Sequence, residues 1–126
     1  MRSSADFRRV REEGRCWSNR QLVLCVVCNH LDWSRFGFSV SRRIGHAVTR
    51  NRLKRLLRHV VRAHLDSVLP GWDVVIIARR GVIGADYRAL ERAIVHLLGK
   101  AHLLRADGSD AAPDTQAETP YERDLA

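Results

Sequence analysis

The stretch from Arg42 to Arg62 holds eight basic residues and no carboxylate. From about Ala47 to Leu65 its apolar residues recur with the 3.6-residue period of an α-helix. The runs that flank it have a different period. Arg35 to Val40 (RFGFSV) puts aromatics at Phe36 and Phe38 on one face and small or polar residues on the other, and Asp73 to Ala78 (DVVIIA) reads as a fully apolar strand, the pattern of a strand central in a sheet. An amphipathic helix between two such strands needs a sheet to cover, which confines the chain to a mixed α and β fold with this helix packed on the sheet.

On a helical wheel Leu53, Leu56, Leu57, Val60 and His64 fall within about 100° of one another and form the stripe expected to be buried. Asn51, Lys54, Arg55, Arg58 and Arg62 occupy the opposite arc, flanked by Arg50 and Arg52. Arg50, Lys54, Arg58 and Arg62 make a row at i, i+4 spacing. Like charges at that spacing repel by a few tenths of a kcal/mol per pair, and here no acid offsets them, so local stability does not explain the choice. A phosphate backbone does, because each neutralised phosphate releases condensed counterions and Arg adds bidentate geometry. A helix lying on anionic lipid is the rival reading, but its apolar face would carry Trp or Phe, and this one carries only Val, Leu and Ala beside strands that can cover it.

The rest of the chain fills out one domain. With 126 residues, 45% of them hydrophobic, it is long enough for one real core and too short for two. The opening segment SSADFRRVREEGR, residues 3–15, looks like a short, basic, amphipathic helix with Ser3 or Ser4 as N-cap, Phe7 and Val10 three apart, and Gly14 as its stop. Gln21 to Cys28 (QLVLCVVC) is a strand covered on both faces, expected to pair with Arg35 to Val40 as a hairpin or meander. After Pro70 and Gly71 and the apolar strand, Ala85 to about Leu104 is a second surface helix, with Leu90, Ile94, Leu97, Leu98 and Leu104 inward. The predicted order is α-β-β-α-β-α, an α+β sandwich, with Cys16 to Ser18 as a possible further short strand.

Charge divides the chain in two. Residues 1–105 hold 21 of the 22 Lys and Arg and eight acids, a net +13, and residues 106–126 carry −5. The first part is expected to be a folded domain with a polyanionic partner, nucleic acid or an anionic membrane surface. The second, poor in apolar residues, is expected to be a disordered acidic tail, a solubilising extension or else an RNA mimic that competes for the basic face. No run approaches the ~18 apolar residues that span a bilayer and the N-terminus is charged, so a cytoplasmic protein is expected. An odd number of cysteines, three, then predicts reduced thiols and no disulfide framework.

The run Phe38-Ser-Val-Ser-Arg-Arg-Ile-Gly-His-Ala-Val-Thr-Arg-Asn-Arg-Leu-Lys-Arg-Leu-Leu-Arg, ending at Arg58, resembles the signature of the bacterial ribonuclease P protein component, with Arg50-Asn51-Arg52 as its RNR motif. Ala5-Asp6-Phe7, Gly14-Arg15, Asn19 to Leu24, Gly37 to Val40, Trp72 to Arg79 and Leu90 extend the likeness over about the first hundred residues. The resemblance implies an α/β sandwich with a left-handed β-α-β crossover through the RNR helix, contrary to the usual handedness. It implies two partners, ribonuclease P RNA and precursor tRNA, neither of them DNA or a membrane.

Carried onto this chain, the contacts to the catalytic RNA are Arg42, Arg43, Arg50, Asn51, Arg52, Lys54, Arg55, Arg58 and Arg62. The cleft for the single-stranded leader comprises Phe7, Arg8, Arg11, Val23 and Cys25. Phe7 can stack a base or serve as a core contact. Arg11 stands where the family often has a second aromatic and Cys25 where it has a large side chain, so leader binding should rest more on charge. The basic segment that usually precedes the first helix is reduced to Arg2, as a start assigned too far downstream would leave it.

No spacing of carboxylates, nucleophile and base, or glycine-rich loop points to a protein active site. Cys25-Val-Val-Cys28-Asn-His30 lacks the second pair a zinc site needs, and residues 25 and 28 of a strand face opposite ways. The resemblance agrees: catalytic Mg²⁺ would be held by the RNA subunit, with no cofactor on the protein alone. The alternatives are a general RNA-binding module without an enzyme partner, and a nuclease in its own right.

Overall fold

Asn19 makes the first reversal of the chain. Its Oδ1 accepts hydrogen bonds from the backbone N–H groups of Gln21 (3.0 Å) and Leu22 (2.9 Å), an Asx turn that folds β1 (Arg15–Ser18) against β2 (Leu22–Cys28) as an antiparallel pair. The structure, a computed structural model, describes residues 4–105. The expected acidic tail at 106–126 and a cap at Ser3 lie outside the described residues. Helix α1 (Ser4–Glu13) precedes the pair and closes where the N–H of Gly14 reaches the carbonyl of Val10 at 2.9 Å. Gly14 is required there, since a Cβ would collide with the carbonyl oxygens of Val26 and Val10.

The expected hairpin between the second and third strands does not form. The sheet order is β1-β2-β4-β3, with β4 (Trp72–Ala78) antiparallel to β2 and parallel to β3 (Arg35–Ser39). Residues Leu22–Val26 and Asp73–Ala78 are buried on both faces, so β2 and β4 take the centre. The half-exposed β3 takes an edge. Pairing β3 with β4 in parallel requires a crossover, and α2 (Ala47–Ala63) supplies it. Cys16 to Ser18 does belong to a fourth strand.

The alternation of the strands divides the core in two. Leu22, Leu24 and Val26 of β2 and Val74, Ile76 and Ala78 of β4 face α2 and α3 (Tyr87–Lys100), joined by Trp17, Phe36 and Phe38. On the other side Val23, Cys25, Val75 and Ile77 face α1, where Val10 is wholly buried and Phe7 packs against them. The buried stripe of α2 is Leu53, Leu57, Val60 and Val61, with Leu56 half-buried. The helix is shorter than expected because His64 caps it, and that imidazole bonds Glu91 of α3 at 2.8 Å instead of entering the core. Asp86 caps α3 by accepting from the N–H of Ala89, and the fully buried Leu103 was not foreseen.

The expectation of three free thiols is corrected. Cys16 and Cys25 are register partners on neighbouring strands, 4.1 Å apart at Cα, and are joined by a disulfide beneath α1, while Cys28 is free and exposed. The sequence could not show this pairing, because it depends on β1 being a strand in that register. A buried disulfide is unusual in a reducing compartment. Alkylation in denaturant of protein isolated without reductant is expected to label only Cys28, and all three cysteines once the protein has been reduced. Three labelled thiols without reduction would mean that the pair is a dithiol.

Candidate nucleic-acid interface

The basic ridge begins before α2. Ser41 Oγ accepts from the N–H of Arg43 at 3.3 Å and caps a short turn from Arg42 to Ile44, and burial of Ile44 anchors it. Arg42 and Arg43 are therefore held on the outside. Arg50 ties the turn to the helix by donating from Nε to the carbonyl of Gly45 at 3.2 Å. Along α2, Asn51, Arg52, Arg55, Arg58 and Arg62 are exposed, and Arg50 and Lys54 are half-buried at the flank of the core stripe. Among the described residues no acidic side chain forms a salt bridge with any of the eight cations. The turn and the helix that follows it thus gather all nine residues expected to contact the catalytic RNA on one ridge, and no acid among the described residues neutralises its cations.

The second expected surface is only partly assembled. Arg8 is exposed, and Phe7 and Arg11 are half-buried on α1. Val23 and Cys25, by contrast, are 1% and 0% exposed, because α1 lies directly over them and Cys25 is bonded to Cys16. They offer no surface to a bound strand and belong to the packing that seats α1.

Sequence reasoning missed the group that fixes α1 to the sheet. Asp73, the second residue of β4, is completely buried and accepts from Arg35 Nε (2.8 Å) and Nη2 (2.6 Å), Arg9 Nη2 (2.6 Å) and Asn29 Nδ2 (2.9 Å). Burial acts to raise the Asp73 pKa, but the hydrogen bonds from Arg35 and Asn29 and the charges of Arg35 and Arg9 outweigh it and hold the carboxyl below its ordinary value. The hydrogen bonds that Arg35 donates to Asp73 in turn raise the pKa of Arg35. The available signal was the pair Arg35 and Asp73, opposite each other in the parallel register. It was obscured by treating β4 as purely apolar. Arg9 and Arg35 remain about a third exposed, at 33% and 32%, so the ion cluster opens at the rim of the α1 face.

No three His, Cys, Asp or Glu among the described residues are grouped so as to hold a metal ion. Cys28 and His30 touch, with Sγ 3.8 Å from Nδ1, but stand apart from any second pair.

A sheet backed on one face by a carboxylate-free basic helix, and clamped on the other to a short helix, defines a small α+β sandwich built to present a ridge complementary to a polyanion. The family model described as Ribonuclease P matches residues 1–102. Among curated relatives, the ribonuclease P protein component of Herpetosiphon aurantiacus is 44% identical over 103 residues, 82% of this chain and 84% of the relative. That of Clostridium botulinum is 42% identical over 102 residues, covering 80% and 92%. The RNase P protein of Staphylococcus aureus superposes with a TM-score of 0.76 at 32% identity, covering 83% of this chain and 96% of that one. The Thermotoga maritima protein gives 0.74 at 30%, covering 78% and 93%. The chain belongs to the ribonuclease P protein family, the protein components of the endoribonuclease ribonuclease P.

Proposed function

We propose that the chain binds a catalytic ribonuclease P RNA and the 5′ leader of precursor tRNA, and that the resulting ribonucleoprotein removes the leader in the cytoplasm. The observation that carries this reading is the ridge from Arg42 to Arg62, whose eight cations find no acid among the described residues. A ridge of that length suits a run of phosphates, and binding to it should weaken steeply with salt. Phosphodiester hydrolysis and the Mg²⁺ it uses reside in the RNA, while the protein neutralises phosphates and holds the leader. No described helix is long and apolar enough to cross a membrane.

The leader's place in this reading is beside α1, where Phe7, Arg8 and Arg11 retain accessible surface and Arg9 and Arg35 bring charge to the rim. Stacking of a base on an aromatic contributes about 1 to 3 kcal/mol in single-strand binders. Phe7→Ala is therefore expected to weaken holoenzyme binding of precursor tRNA by about tenfold, and of mature tRNA little. Binding assays with both substrates check this, and equal weakening of the two would remove Phe7 from the leader site.

A further inference from the structure

The three exposed residues of α3 are Arg88, Arg92 and His96, spaced i, i+4, i+8 on its outer face. The helix contains one acid, Glu91, which is bonded to His64 at the end of α2. The preceding Asp86 is bound to the N–H of Ala89 as the cap. Neither carboxylate forms a salt bridge with the row, and no other among the described residues does. Arg88 stands in the first turn, where the helix dipole disfavours a cation, and Arg92 repels it one turn on. Helix stability thus accounts for neither arginine.

The Glu91–His64 bond places this row beside the C-terminal end of the α2 ridge, on the same side of the sheet. We infer that the row of Arg88, Arg92 and His96 forms a second RNA-backbone track, continuing past Arg58 and Arg62, in which the two arginines neutralise phosphates of a further segment of the same structured RNA that α2 engages. This rests on the reading that α2 binds RNA. The two tracks, carried by two helices packed together, would fix the protein's orientation on the RNA as one ridge alone does not.

The test is the salt dependence of binding to ribonuclease P RNA for the full chain and for three variants: Arg88→Gln with Arg92→Gln, Arg88→Lys with Arg92→Lys, and Arg58→Glu with Arg62→Glu as control. Loss of two phosphate contacts is expected to lower the slope of log affinity against log salt by about 1.5 to 2 in the Gln pair, with roughly tenfold weaker binding and an unchanged Tm, whereas the Lys pair keeps the slope. An unchanged slope in the Gln pair while the α2 control loses binding would overturn the second track and leave the proposed function standing. A control that binds as tightly as the full chain would instead overturn the reading on which the track rests. A slope lost equally in the Lys pair would also count against it, since a phosphate track needs charge at those positions.

Discussion

Reversing two charges on α2, Arg58→Glu with Arg62→Glu, is expected to weaken binding to ribonuclease P RNA by about a hundredfold or more and to leave the fold intact. Both side chains are exposed, neither forms a salt bridge among the described residues, and neither belongs to the buried stripe of Leu53, Leu57, Val60 and Val61 that seats the helix. Removal of each charge-assisted hydrogen bond costs about 1.5–3 kcal/mol, and the introduced carboxylates add repulsion from the phosphates. Titration of labelled RNA at fixed salt measures the loss, and thermal unfolding checks the fold. A Tm drop as large as that of a core truncation would contradict the placement of these residues on the outer arc.

Asp73→Ala should do the opposite, costing stability before it costs binding. Three side chains from α1, β3 and the loop after β2 converge on that carboxylate, and its removal leaves two guanidinium groups without their buried partner. Breaking a buried ion pair from one side costs about 3–5 kcal/mol, and the partial exposure of Arg9 and Arg35, which lets both regain water, brings the expectation to about 2–3 kcal/mol. The sign of the pH dependence follows from the lowered pKa. The contribution is fully present above the unfolded carboxyl value of about 3.9 and is lost as pH falls through the lower folded value. Chemical denaturation from pH 7 down to pH 2 should therefore show the variant nearing the parent in stability only at the acid end. A constant gap across that range would mean that the charge on Asp73 contributes nothing.

What the sequence made legible followed from periodicity and charge. The outward cations of α2, the two strands buried on both faces, and the inward face of α3 are all read from residues whose neighbours in the chain determine their exposure. What it hid depends on partners far along the chain. Insertion of β4 between β2 and β3 reflects competition among strands for the centre of the sheet, which adjacency in sequence misjudges. The Cys16–Cys25 bond depends on the register of β1 against β2. Asp73 looks like a lone polar residue until β3 and α1 bring Arg35 and Arg9 to it. Val23 and Cys25, expected in the leader cleft, are closed over because α1 packs on β2.

The measurement that bears most directly on the central claim is cleavage of labelled precursor tRNA at low Mg²⁺ by protein alone, ribonuclease P RNA alone, and the two together. Release of the 5′ leader only by the mixture is the expected result, with the chemistry residing in RNA and the protein lowering its demand for metal. Leader removal by the protein alone, or no stimulation despite tight binding to unrelated RNAs, would contradict it.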